Sequence, residues 1–262
     1  MAQGVWMYRQ LKLAFAAGVL FSLGATGVAS SADMPLKARP VLVPNLYNWT
    51  GCYLGANVGG AWDKIDTTQV GDDVAGPVFV DYGREKDSSI VGGGQAGCDF
   101  MAGKDLVFGV QSTFDFGSVS GTHTIPGTTF TETNKLESIV TATGRIGYLW
   151  TPQFLGYGKF GVAFLQDRNQ VFLPSGAPFL QSTTFWQPAL TAGIGGEWMF
   201  APNWSVFAEW NYIWTEDDFA QHFNAAPPNV AGETLVYRQR VQTVLVGVNY
   251  KFHWDGPVVA KY

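Results

Sequence analysis

On segments where apolar and polar residues alternate, parity puts eight informative charges on the polar or small faces: Asp99, Asp115, Glu137, Arg145, Lys159, Glu197, Glu209 and Lys251. Side chains of these types can do three kinds of chemistry. A base beside a hydroxyl or thiol can activate a nucleophile. Clustered His, Cys and Asp can hold zinc. Opposite charges held away from water can pair. The first needs a base on or near a strand with Ser and an acid beside it. His123 and His222 fall in stretches that read as loops, and His253 lies past the last alternating segment. No catalytic residue is therefore assigned, and no enzymatic activity is expected. No His/Cys/Asp spacing suits a metal, so neither metal nor cofactor is expected. The glycine run GGGQAG (92–97) lies inside an alternating segment rather than in a loop, so it is no phosphate cradle. Charge pairing remains, with Glu137, Arg145, Lys159, Glu197, Glu209 and Lys251 as its expected members.

The elements that must position these charges are strands. In WTGCYLGANVGGAW (49–62), every second residue from Cys52 is apolar or small, the period of a β-strand. Similar alternation places strands at about 49–63, 88–102, 105–118, 134–150, 153–166, 183–200, 203–217 and 235–252. AGKD, WTPQ and FAPN make tight turns between them, while the connectors at about 64–87, 119–133, 167–182 and 218–234 are long and polar. Residues 1–32 read as a secretory signal peptide: Arg9 and Lys12 precede an apolar run from Leu13 to Leu23 and the small residues VASSA. That run is too short for a transmembrane helix. Residues 33–48, with Pro35, Pro40 and Pro44, read as an extended linker. A signal peptide followed by an even number of strands, with short turns at one end and long loops at the other, predicts a fold. It is an all-β, eight-stranded antiparallel transmembrane up-and-down barrel over residues 49–252. Both chain ends would be periplasmic, including the tail 253–262.

Alternation alone does not say which face meets which solvent, because a soluble barrel would turn the same apolar face inward. The aromatics favour lipid outside. Trp49, Phe100, Tyr148, Trp150, Phe154, Trp198, Phe200, Trp204, Tyr250 and Phe252 gather by the short turns. Trp62, Phe116, Phe164, Trp186 and Trp214 gather towards the loops. Two such belts flank a bilayer core. The charges then face a narrow lumen, with Arg145 and Lys159 set against Glu197 and Glu209 as a plug. On this reading, removing Arg145 opens the constriction. The competing reading is a charged channel lining. Cys52 and Cys98 sit near the short-turn end of one hairpin, on its outward face and in an oxidising compartment. They form a disulfide or remain two lipid-facing thiols.

WTGCYLGANVGGAW, GGGQAGCDF, LVFGVQSTFDF, GRIGYLW, TAGIGGEWMFAPNWSVFAEWNYIW and VLVGVNYKF together resemble the alphaproteobacterial outer-membrane proteins with an OmpA-like eight-stranded barrel. Members are often labelled porin-family or outer-membrane immunogenic proteins. The resemblance covers the chain after the signal peptide. It implies an outer-membrane location and a structural, envelope-integrity and surface-contact role. The alternatives are a low-conductance porin for small solutes and a surface adhesin or antigen acting through the long loops. Implied partners are outer-membrane lipid and lipopolysaccharide, and the barrel-assembly machinery reading Tyr250 and Phe252. A surface ligand stays unnamed. A net charge of −5 with no basic run argues against nucleic acid.

Overall fold

The structure, a computed structural model, describes residues 47–215, 220–227 and 232–252. The segments expected as signal peptide (1–32) and tail (253–262), and most of the expected linker (33–48), lie outside the described residues. The strands are β1 (Gly51–Asp72), β2 (Gly76–Ala102), β3 (Leu106–Thr124), β4 (Thr131–Thr151) and β5 (Phe154–Phe172). They continue with β6 (Thr183–Ala201), β7 (Trp204–Thr215), β8 (Ala220–Phe223) and β9 (Glu233–Phe252). Neighbours in sequence pair antiparallel from β1 to β7, β7 pairs β9, and β9 pairs β1, so the sheet closes. The four-residue β8 pairs only β9, at Val236 to Glu233, next to where the β7–β9 ladder ends at Trp214↔Arg240. Among the described residues the closed ladder runs through β1 to β7 and β9, with β8 pairing only β9 at one rim.

The strands run much further into the polar connectors than alternation suggested. β1 has 22 residues and β2 has 27. At about 3.4 Å per residue they exceed twice the length needed to cross a bilayer core of about 30 Å. The connector expected at 64–87 is a continuous hairpin, paired to its tip at Asp72↔Gly76. Polar residues conceal this because a hairpin in water needs only one apolar face. Ile65, Tyr82, Val171, Phe185, Leu235 and Tyr237 supply it, buried together at the long-hairpin end. The β2–β3 ladder stops at Val91↔Gly117, well before the β1–β2 ladder does. Beyond it, His123 Nε2 meets the Tyr82 carbonyl at 2.7 Å.

Outside, the surface is apolar: Leu54, Val58, Val110, Ile146, Ile194 and Val246 are each at least half exposed. Rows of aromatics bound this band, with Phe100, Tyr148, Trp150, Trp198 and Trp204 below and Trp62, Phe116 and Trp186 above, all exposed. Trp49, expected in the lower row, is instead fully buried, and its indole N–H donates to the Pro152 carbonyl at 3.0 Å. It precedes the first strand residue, so strand parity does not govern it. The lumen is filled. Close approach of neighbouring backbones explains an inward glycine such as Gly59, where a Cβ would lie 1.9 Å from the Val244 carbonyl oxygen.

Candidate functional site

Near the short-turn end the lumen holds a closed ion cluster. Arg145 from β4 donates through Nε to Asp99 Oδ1 at 2.7 Å, and its Nη2 also bonds Asp99 Oδ2. Nη1 and Nη2 each reach Glu197 Oε2 at 3.0 Å. Lys251 from β9 bonds Asp99 Oδ2 at 2.8 Å and lies 3.3 Å from Glu197 Oε1. Ser205 and Asn249 donate to that same Glu197 oxygen at 2.6 and 3.1 Å. Beside this cluster, Lys159 Nζ bonds Glu209 Oε1 at 2.6 Å, and Tyr157 OH donates to Glu209 Oε2 at 3.0 Å. The Arg145 guanidinium lies between the rings of Tyr53 and Tyr157, 5.0 and 4.9 Å from their centroids. Lys251 lies over Trp49 and Tyr53. Three cations face three carboxylates, all buried, so the cluster is neutral and its charges are solvated by one another. Gly109 makes room for it: a Cβ there would stand 2.3 Å from Asp99 Oδ1.

Five of the six expected network members, Arg145, Lys159, Glu197, Glu209 and Lys251, meet in the lumen; Arg145 pairs Glu197 and Lys159 pairs Glu209 within the expected quartet, and Lys251 joins it. Asp99 is the partner that counting along the β4–β7 hairpins missed. It comes from β2, two strands from β4, and lies in the same row as Arg145 with Gly109 of β3 between them, where the missing side chain lets the two meet. Glu137 is the correction. It lies outside the lumen, between Lys135 at 3.5 Å and Arg168 at 3.3 Å. The register shifts between Leu136 and Ser138, leaving Glu137 as the extra residue of a bulge. Above that bulge the inward positions switch from odd to even, so parity counted from the short turn fails there. Cys52 and Cys98 stand directly opposite on β1 and β2 and are joined by a disulfide. Tyr250 and Phe252 face outward at the end of β9, edge-on to one another with centroids 4.9 Å apart.

The two described histidines lie on strands, not in loops, because the hairpins are long. His123 sits 3.6 Å from both Glu85 and Glu132, and His222 sits 3.2 Å from Thr234 Oγ1. Among the described residues, no group of three or more His, Cys, Asp or Glu is arranged to hold a metal ion.

Beyond the upper aromatic row, Asp63 and Asp167 are bridged by Gln239 Nε2, at 2.8 and 3.2 Å. Burial pushes Asp167 up to about 7, Glu137 nearby adds to this, and the Gln239 bond opposes it. An unfolded aspartate titrates near 4, so between these values the folded state holds the extra proton. Stability is then greatest at low pH and falls as pH rises towards 7, by an amount on the order of a few kcal/mol. The urea midpoint should be higher at pH 5 than at pH 8, and Asp167→Asn should shrink that difference. An unchanged difference in the variant would remove Asp167 as its source.

The closed ring, the apolar exterior and the charged interior fit one family, and the comparison decides it: residues 20–252 match the family model described as an outer membrane protein beta-barrel domain. The chain belongs to this family. Relatives include the 31 kDa outer-membrane immunogenic proteins of Brucella melitensis and Brucella suis. Each is 27% identical over 256 residues, covering 92% of this chain and 100% of the relative. Among solved structures, similarity extends to the attachment invasion locus protein Ail of Yersinia pestis, at 13% identity and a TM-score of 0.41, over 78% of this chain and 99% of Ail. The outer membrane protease OmpT of Escherichia coli matches at 10% identity and a TM-score of 0.49, over 79% of this chain and 98% of OmpT. As an outer-membrane β-barrel protein, the chain contacts membrane lipid through its exterior.

Proposed function

We propose that this outer-membrane barrel is a structural envelope protein that spans the bilayer and presents its long hairpins at the cell surface, without a solute path. The single observation that carries this reading is the filled lumen within an exposed apolar band bounded by aromatic rows. The band matches the bilayer core in character, and the rows match its interfaces. The start of β1 pairs with the end of β9 at Cys52↔Phe252, so both ends of the barrel chain lie beside the short turns, which are then periplasmic. Tyr250 and Phe252 are the residues offered to the assembly machinery, and the Cys52–Cys98 bridge staples the first hairpin where it leaves the periplasm.

Purified protein kept in SDS at room temperature should migrate differently from boiled protein, because a closed ladder resists the detergent. Cells lacking the protein should become sensitive to detergents and bulky hydrophobic compounds, yet take up small solutes at the parental rate. Slower small-solute uptake with an intact barrier would instead establish the porin reading. A surface-contact role has its own support. The β1–β2 hairpin projects past the end of the β2–β3 ladder and carries Val74 and Phe79 at 74% and 83% exposure. Apolar side chains so exposed at a hairpin tip suit a contact with another surface.

A further inference from the structure

The outward face just above the upper aromatic row carries a line of like charges. Lys64 on β1 stands directly opposite Lys86 on β2 and directly opposite Arg240 on β9. All three are exposed. Directly opposed side chains in a sheet lie about 5 Å apart, and like charges there destabilise the pairing. Elsewhere on this exterior the chain avoids that cost. Arg168 and Lys135 share Glu137, and Arg84 holds Asp66 at 2.5 Å. Among the described residues, no carboxylate pairs with Lys64, Lys86 or Arg240. The row above reads Arg84, Asp66, Arg238 across the same strands, so its one acid already has a partner. The row below, Ser88, Trp62, Gln242, is uncharged.

Position supplies the missing counter-charge. Lys64 follows Trp62 by two residues, about 7 Å along a strand that tilts about 40° in such barrels. Arg240 pairs directly with Trp214 of β7. Lys64 therefore stands about 5 Å beyond Trp62, and Arg240 stands beside Trp214, so the line of cations lies at the edge of the hydrocarbon boundary, the depth of lipid headgroups. Lys offers three rotatable donors, and Arg offers a planar fork that fits phosphate oxygens.

We propose that Lys86, Lys64 and Arg240, in line across β2, β1 and β9, hold the phosphate of an outer-leaflet lipid headgroup. This rests on the membrane orientation proposed above. The bound lipid would neutralise a row of charge that the sheet otherwise leaves unpaired. It would also fasten the closing β1–β9 seam to the membrane surface.

The test uses the full barrel in detergent micelles, with retained lipid counted by native mass spectrometry. The probes are diphosphorylated lipid A and the same lipid stripped of phosphate. The variant is Lys64→Gln/Lys86→Gln/Arg240→Gln, and Lys104→Gln in the short β2–β3 turn is the control. Wild type and control should retain the phosphorylated lipid in clear preference. At the usual contribution of one basic residue near a membrane surface, the triple variant should bind it about a hundredfold more weakly. It should bind the stripped lipid as wild type does. If the triple variant does not fold, Lys64→Gln alone should weaken binding about fivefold. Equal retention of both lipids by wild type would overturn the proposal, as would unchanged binding by a folded variant. So would displacement of the lipid by millimolar inorganic phosphate, which would make the free ion the ligand. A barrel whose migration in SDS does not change on boiling would instead defeat the membrane reading itself, whatever the lipid result.

Discussion

Arg145→Ala should lower the urea midpoint of this barrel more than any other single replacement of a charged side chain. Arg145 is the only described residue that bonds Asp99 and Glu197 together through one planar group. Removing it leaves two buried carboxylates with Lys251 as their remaining cation. Breaking a buried pair costs about 3–5 kcal/mol, because the stranded charge keeps its desolvation penalty. Arg84→Ala is the control. Its ion pair with Asp66 is largely exposed, and such pairs contribute about 0–1 kcal/mol. A second comparison separates charge from packing. Arg145→Ala combined with Asp99→Asn should recover part of the loss, because one uncompensated carboxylate is gone and an amide can still hydrogen-bond Lys251 only as an acceptor through its oxygen. If Arg145→Ala and Arg84→Ala shift the midpoint equally, the ion cluster does not hold the barrel together.

The path from sequence to this cluster shows what strand parity can and cannot tell. Parity works where a strand is unbroken and both faces meet contrasting surroundings. Lys159, Glu197, Glu209 and Lys251 face inward because each strand alternates without a break from its short turn. Parity fails at Glu137 because a bulge adds one residue, and nothing in KLESIV marks which residue it is. It also says nothing about partners across the lumen. Asp99 was legible as an inward residue, but its pairing with Arg145 depends on the registers of β2 and β4 on β3, which set both opposite Gly109. Hairpin length was illegible for a related reason. Above the aromatic row the outer face is solvated, so TTQVGDD and DYGREKD read as loop although they pair to the tip.

Wild-type protein in planar bilayers should show conductance at the baseline of the bare membrane, and Arg145→Ala should leave it there. From sequence alone, the ion plug was the expected constriction, and its removal was expected to open a path. The structure places more barriers in series. Below the ion cluster Trp49, Leu155 and Met199 close the floor. Above it, Gln111 donates to Gln95 at 2.9 Å and Gln95 to Asn249 at 2.6 Å, a ladder that uses up its polar groups across the lumen. Higher again come Val91, Leu136, Ile139, Leu165, Ile213 and Val241, an apolar layer with no exposed surface for water to line. The Asp63–Gln239–Asp167 bridge and the buried aromatics of the hairpins follow. An eight-stranded ring leaves a lumen only wide enough for side chains. An ion crossing the apolar layer would lose its hydration without gaining a partner, at a cost far above thermal energy. Opening one layer cannot open the rest, so stability and conductance should come apart: Arg145→Ala falls in the first and does not move in the second. Resolved channel steps in wild type, or steps that appear on removing Arg145 alone, would show that the layers above yield, and the porin reading would then replace the structural one.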